Sequence, residues 1–438
     1  MDLIYSIVGF LIAIGILVTF HEYGHFIVAR LCNVKVLKFS VGFGKPIIKS
    51  QYNKDSTEYS LCMIPLGGYV QMLESKNPDG ESNNLKKEDY EYCFDNKSVY
   101  QKFAIVAAGP IFNLILAIIF FTMTYLNGIG GIKPTVNIDD TENIYQITSV
   151  NNTHVQRWQD VRIEILNNVM NDKPITLFLI DTFENITEYK LKYDSSILNK
   201  EGDIITNIGI NVVSPNRNII IGSVTNQANN KNILVEDKII SVDDKIMKNW
   251  QDLVSIIHNS PGKTINILAE RNKQTVQYTA TIISKNNIGY LGISQKPDLS
   301  SYVTVSYNFK NSLAKAIQST YDYTILTFKM IGRLVTGEAN VKNLSGPLSI
   351  AQFSGKSLEM GLSYFLFLLA ILSVSLGVLN LLPIPMLDGG HLVYYSYEIL
   401  TGRELPNNIQ LGAQFIGIAI LGLIMIIAFY NDLVRILS

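Results

Sequence analysis

The sequence predicts a polytopic α-helical membrane protein with four transmembrane helices, a membrane-associated β-hairpin region and an α+β region on the outer face. Three observations predict it. Four long apolar runs carry no charge; a glycine-punctuated stretch after the first alternates apolar and polar residues; and a central polar stretch is rich in Ile, Val and Thr. The composition agrees. The chain has 438 residues, 47% of them hydrophobic and only 17% charged, with a mean hydropathy of +0.20. Soluble domains carry about 25% charge. A net charge of −1 gives no reason to expect nucleic acid as a partner.

The apolar runs are Leu3–Phe20, Phe103–Leu126, Gly361–Leu387 and Leu411–Tyr430. A bilayer crossing needs roughly 20 helical residues. The first run is preceded by no basic residue and followed by no small-residue cleavage site, so it reads as a retained helix rather than a signal peptide. Arg30, Lys35, Lys38, Lys45 and Lys49 crowd in behind it. The positive-inside rule then places residues 30–100 inside, and both termini and the central region outside. Cys32, Cys62 and Cys93 form no C-x-x-C pair, which argues against a cysteine metal site or a disulfide framework.

Phe39–Gly44 and Tyr59–Val70 read as short strands joined by a turn at Asn53, Lys54, Asp55 and Ser56. Such a sheet is too apolar for water and is expected to dip against the helices. Residues 75–98, with Asn77-Pro78-Asp79-Gly80, read as a loop. In the second helix Gly109-Pro110 allows a close helix approach, and Asn113 needs a polar partner in lipid. Residues 132–297 contain an internal echo: His154–Val161 resembles Ile246–Leu253 around a shared Trp-Gln-Asp, and a helix and then a strand are expected after each. Two copies of one small module is the economical reading. Residues 312–336 form an amphipathic helix, expected either on the outer membrane surface or packed on the soluble region.

The chemistry sits in His21-Glu22-Tyr23-Gly24-His25. Positions four apart share a helix face, so both imidazoles can reach one ion, with Glu22 beside them as general base. Such groups at the end of an apolar helix are costly, and are functional by default. A hydrolytic zinc site has three protein ligands and an open position. Asn380-Leu-Leu-Pro-Ile-Pro-Met-Leu-Asp388-Gly-Gly-His391 offers the third. Pro383 and Pro385 open the backbone, Asp388 ends the apolar stretch, and Gly389-Gly390 permit a tight turn. Asp388 could instead cap the next helix. Asn380 is a candidate for holding the substrate backbone or the oxyanion, and His391 for supporting Asp388 or marking the membrane boundary. The expected reaction is metal-assisted amide hydrolysis. An inactive scaffold would be expected to lack one of His21, Glu22, His25 and Asp388. A metal transporter would need polar residues along other helices, but the last helix offers only Gln414 besides small residues and Tyr430.

The motifs HEYGH, VGFGKP, IPLGGYVQM, NKSVYQKFAIVAAGPIFN, NLSGPLSIA and NLLPIPMLDGGHL together resemble the bacterial site-2 protease family. The resemblance implies an intramembrane zinc metalloprotease, with His21, His25 and Asp388 as zinc ligands, Glu22 as the catalytic glutamate, and Asn380 with Pro383 and Pro385 in a substrate-holding segment. It implies that residues 39–72, with Gly42, Gly44, Gly67 and Gly68, clamp substrate as an added strand. The substrates implied are transmembrane segments of single-pass proteins: anti-sigma factors and remnant signal peptides. It also implies a tandem PDZ-like region facing the periplasm of a bacterial inner membrane. The domains expected are an N-terminal membrane part (1–131), a degenerate PDZ-like module (132–203), a second one (204–297) and a C-terminal membrane part (298–438). Asn226–Val235 lacks the usual helix signals, and the first copy lacks a helix-forming stretch between Pro134 and Trp158, which sets peptide binding by either module in question.

Overall fold

A computed structural model describes residues 2–53, 56–76, 85–137, 144–181, 183–194, 197, 204–212, 219–225, 232–285, 288–296, 301–341 and 344–437. Lys54 and Asp55 of the expected turn, residues 77–84 of the expected loop, the expected module junction at 203, and 226–231 of the Asn-rich stretch lie outside the described residues. The helices are α1 (Asp2–Leu31), α2 (Val99–Asn127), α3 (Trp158–Met170), α4 (Ile204–Asn207), α5 (Trp250–His258), α6 (Phe309–Val335), α7 (Pro347–Met360), α8 (Leu362–Leu381), α9 (Asp388–Thr401) and α10 (Asn407–Leu437). One compact unit comprises Met1–Ile129 and Val305–Ser438; the other comprises Gly130–Ile197 and Gly202–Thr304.

In the first unit, α1, α2, α8 and α10 are long and apolar enough to cross a bilayer. Large apolar side chains stay exposed along them, such as Ile7 and Ile12 on α1 and Phe415 and Ile426 on α10, as a lipid-facing surface requires. α1 does not stop at Phe20 but runs unbroken to Leu31, so the HEYGH motif lies inside a continuous helix. α2 begins with a reciprocal capping box between Ser98 and Gln101 and holds Pro110 within it. It packs against α1, α6, α8 and α9. Phe121 and Ala117 of α2, Ala13 and Leu17 of α1, and Leu369, Ala370 and Val374 of α8 form one buried cluster. The apolar run to Leu387 is not all helix. α8 ends at Leu381 and Leu382 is extended (φ −65°, ψ 145°), because the residue before a proline is pushed out of the α region.

The hairpin is longer than the sequence suggests. β1 (Val36–Ser50) and β2 (Glu58–Met72) are 15 residues each. Each strand pairs twice with the other. Phe39 is opposite both Val70 and Tyr59, and Ser40 opposite both Tyr69 and Ser60, while Ile48, Lys49 and Ser50 face Leu61, Ser60 and Tyr59. Residues 38–41 therefore lie between 68–71 and 58–61, and the outer edges are 46–50 and 68–72. The bends fall at Gly42 (φ +88°), Gly44 (φ +87°) and Gly67 (φ +145°), left-handed positions that favour glycine. Phe43, Ile47, Ile48, Met63 and Ile64 remain exposed. The amphipathic segment is α6, and it packs along α2 and α8, with Tyr125 Oη 2.8 Å from Ser319 Oγ and the rings of Phe121 and Tyr323 stacked 5.6 Å apart. Within the first unit its partners are α2 and α8.

In the second unit the Trp-Gln-Asp echo starts two helices. Trp158 opens α3, followed by the strand Ile175–Ile180; Trp250 opens α5, followed by Thr264–Arg271. The first sheet runs in the order Ile186–Leu191, Ile175–Ile180, Tyr145–Val150, Thr135–Asn137 and Asn211–Val212, so its last strand comes from beyond residue 203. The second runs Lys245–Ile246, Lys238–Val242, Thr264–Arg271 and Gln274–Thr281. Ile239, Leu253, Ile265, Ile267 and Ala280 fill its core. Cys32, Cys62 and Cys93 are free thiols.

Candidate metal centre

α1 carries His21 and His25 one turn apart on the side that α2 covers. Small residues let the two helices meet there: a Cβ on Gly24 would stand 2.6 Å from the Ala108 carbonyl oxygen. A Cβ on Gly109 would collide with His25 Nε2 and stand 2.8 Å from His21 Cε1. Gly109 is therefore the gap into which both imidazoles fit. His25 Nδ1 is 2.8 Å from the Ile105 carbonyl oxygen, and His21 Nδ1 is 3.0 Å from Asn113 Nδ2. Asn113 is fully buried, and its backbone carbonyl accepts a 2.7 Å hydrogen bond from Ser373 Oγ of α8.

Asp388 arrives from the other half of the chain. Residues 382–387 fold back over Gly389 and Gly390: a Cβ on Gly389 would strike the Leu382 carbonyl, and one on Gly390 would stand 2.6 Å from that of Ile384. Met386 is held at φ +99°, an uncommon conformation for a side-chain-bearing residue. Asp388 does not cap α9; the N-cap is Leu387 and no side chain serves. Its Oδ2 atom lies 3.2 Å from His21 Nε2 and 3.5 Å from His25 Nε2, and the two Nε2 atoms are 3.2 Å apart. Oδ2 is buried without a hydrogen-bond partner. A tetrahedral zinc ion with ligand bonds of about 2.0–2.1 Å has edges of about 3.4 Å. The three atoms fit that triangle, and the orphaned oxygen is the kind a cation satisfies. These residues can hold a metal ion.

Glu22 borders the triad and interacts electrostatically with His25, His21 and Asp388. On its other side is Gly68 of β2, where a Cβ would stand 2.9 Å from Glu22 Cγ and 2.7 Å from the Ser40 carbonyl oxygen. The glutamate thus lies beside the outer edge of the hairpin sheet. Asn380, the penultimate residue of α8, is half-buried, and its side-chain amide makes no hydrogen bond among the described residues. Pro385 abuts α10: a Cβ on Gly417 would strike the Pro385 carbonyl. His391 packs edge-on against Tyr394, its ring centroid 5.7 Å away. The structure brings His21, His25 and Asp388 together; Gly109 and Asn113 stand out in the sequence as a close-approach point and a residue in need of a partner, but not as the residues that meet the two histidines. Ile105, Gly109 and Asn113 are spaced four apart, so they form one row down the helix, and that row was the available signal.

The family model described as peptidase family M50 matches residues 9–424. A protein of Neisseria meningitidis named as a candidate zinc metalloprotease is 35% identical over 99% of this chain and 100% of its own length. The regulator of sigma E protease of Haemophilus influenzae is 34% identical, and the regulator of sigma-E protease RseP of Escherichia coli 32%, each over 99% of this chain and 100% of its own. Among solved structures, the PDZ domain of an SdrC-like protein from Listeria monocytogenes matches 20% of the chain at 20% identity, with a TM-score of 0.18, too low to carry an argument.

Proposed function

Because the chain belongs to peptidase family M50, we propose that it is a membrane-embedded zinc endopeptidase that cuts the transmembrane segments of single-pass membrane proteins. The observation that carries this reading is the convergence of His21, His25 and Asp388 from α1 and α9, with Glu22 alongside. Two imidazoles and one carboxylate leave a tetrahedral position open, the arrangement of hydrolytic zinc sites. Zinc bound there would polarise the scissile carbonyl and acidify water. Glu22 takes the proton of the attacking water and delivers it to the leaving amide nitrogen. Asn380, with no protein partner for its amide among the described residues, holds the substrate backbone or the developing oxyanion beside Pro383 and Pro385.

The hairpin positions the substrate. A substrate strand laid along the edge 68–72 passes Gly68, and so passes Glu22. Backbone hydrogen bonds along that edge recognise any sequence and favour the unwound form that hydrolysis needs. Gly42, Gly44 and Gly67 make the bends that let the two strands pair twice and leave 68–72 as an edge. The substrate class is the anti-sigma factor type, with remnant signal peptides as a second group. The proposed setting is a bacterial inner membrane, with both termini and the second unit in the periplasm. The second unit acts there as two PDZ-like modules that exclude substrates with bulky outer domains.

The test is cleavage of a model transmembrane peptide by the purified chain, with and without a zinc chelator, against Glu22→Gln. Wild type cuts and the chelator stops it. Glu22→Gln keeps its metal and loses cleavage by about 10²–10⁴-fold, the usual worth of a positioned general base. Equal cutting by both proteins would remove Glu22 from the mechanism.

A further inference from the structure

One buried group beside the triad is unaccounted for. Asn113 Oδ1 has no hydrogen-bond partner, although the residue is fully buried and its Nδ2 lies 3.0 Å from His21 Nδ1. A buried polar atom left without a partner is costly and calls for a reason. Yet the residue is held in place, through the Ser373 bond to its backbone carbonyl and the close approach of Gly377, where a Cβ would stand 3.3 Å from Asn113 Cβ.

The two histidines make the reason visible. The Ile105 carbonyl can only accept, so His25 Nδ1 carries the proton and Nε2 presents its lone pair to the site. His21 faces a group that can do either. With Nδ2 forward, Asn113 donates to Nδ1, and Nε2–H of His21 then points at Asp388. That pairing suits the ligand set without an ion. A metal on Nε2 moves the proton to Nδ1, where an amide N–H would face it donor to donor. A half-turn of the carboxamide, whose two ends are nearly equal in size, brings Oδ1 to Nδ1–H and replaces that donor–donor clash with a hydrogen bond, Nδ2 taking the place Oδ1 held.

We propose that Asn113 is a positioning residue for the metal, its carboxamide turning with the His21 tautomer so that Oδ1 accepts from Nδ1–H when the site is loaded. It acts through His21 and touches neither ion nor substrate. The proposal rests on the metal-site reading above.

The test is zinc affinity of the full chain in detergent, measured by competition with a colorimetric chelator. The variants are Asn113→Leu, which keeps the shape and removes the hydrogen bond, Asn113→Asp, which keeps the acceptor, and Ser373→Ala, which disturbs the same packing without touching the amide. Asn113→Leu should bind zinc about 10–100-fold more weakly, the usual effect of losing such a partner. Asn113→Asp should bind at least as tightly as wild type, and Ser373→Ala should match it. In the cobalt(II)-loaded protein, Asn113→Asp should shift the visible ligand-field bands and Ser373→Ala should not. Wild-type affinity in Asn113→Leu, equal weakening by Leu and Asp, or an unshifted cobalt spectrum in Asn113→Asp would each overturn the proposal. A wild-type chain that binds no zinc would instead overturn the metal-site reading itself.

Discussion

Each unit of the molecule contains a carboxylate held among a few polar side chains, and the two are treated in opposite ways. Asp237 in the second unit is fully buried and fully matched. Arg271 donates to both its oxygens at 2.7 Å, the Leu234 N–H at 3.0 Å and the Tyr278 hydroxyl at 3.2 Å. Asp388 in the first unit has only two imidazole nitrogens beside its buried Oδ2, at 3.2 and 3.5 Å, and no backbone, hydroxyl or guanidinium donor among the described residues. Protein interiors satisfy their buried polar groups in the great majority of cases. A carboxylate completed by the chain's own donors is structural. One left open where ligand atoms converge is completed by something the chain does not encode.

The largest expected effects separate these roles. Asp388→Ala should abolish zinc binding and peptide cleavage together, both read on the purified chain, while leaving the second unit intact. The chain's only tryptophans, Trp158 and Trp250, lie in that unit, so tryptophan fluorescence during denaturation reports it selectively. A shifted fluorescence transition in Asp388→Ala would break the contrast. Asp237→Ala should do the reverse. Removing one partner of a buried ion pair costs about 3–5 kcal/mol. Since the Arg271 side chain is 29% exposed and can rehydrate, a value of about 3 kcal/mol is expected from the fluorescence transition. Zinc stoichiometry should not change.

A third carboxylate sharpens the rule. Asp432, near the end of α10, is fully buried and accepts from the Gly346 and Ser349 N–H groups at 3.0 Å each and from the Ser349 hydroxyl. It completes the N-terminus of α7, where the four leading N–H groups lack helical partners. By the same logic it is structural. Asp432→Ala should lower thermal stability of the detergent-solubilised chain by about 1–3 kcal/mol, the cost of stranding buried donors. It should not alter zinc stoichiometry; a lost metal would show that satisfaction by donors does not distinguish the two kinds of site.

Much of this was legible in the residues, and the part that was not has a physical reason. His21, His25 and Glu22 could be read because helical spacing fixes which side chains share a face. Asp388 could be read because an uncompensated carboxylate beside an apolar run is expensive. Asn113 could be read only as needing a partner; that the partner is His21, 92 positions away, depends on how α2 crosses α1. Alternation revealed β1 and β2 as strands but not that each pairs twice, since pairing is decided by bends at Gly42, Gly44 and Gly67 that local pattern does not count. The apolar pattern of α6 gave a helix with a buried face, but lipid, a soluble domain and another helix all match such a face. The helix end at Leu381 was masked because hydropathy continues through Pro383 and Pro385 while the backbone changes.

The smallest effect distinguishes the matched carboxylate by its titration. Burial works to raise the Asp237 carboxyl, but the Arg271 guanidinium, the Leu234 N–H and the Tyr278 hydroxyl together hold it below its ordinary value of 3.8. The unfolded chain then takes up this proton at a higher pH than the folded one, so stability rises with pH across that interval. The contribution is complete above the unfolded value, about 4, and is lost as pH falls through the lower folded one. The fluorescence transition of the wild-type chain should therefore weaken as pH drops below about 4. In Asp237→Asn, which cannot titrate, that share of the acid sensitivity should vanish, although the variant is less stable at neutral pH. The difference between the two proteins should narrow steadily in acid. A difference that stays constant with pH would mean that Asp237 holds its proton equally in both states, and that its bonds to Arg271, Leu234 and Tyr278 do not favour the charged form.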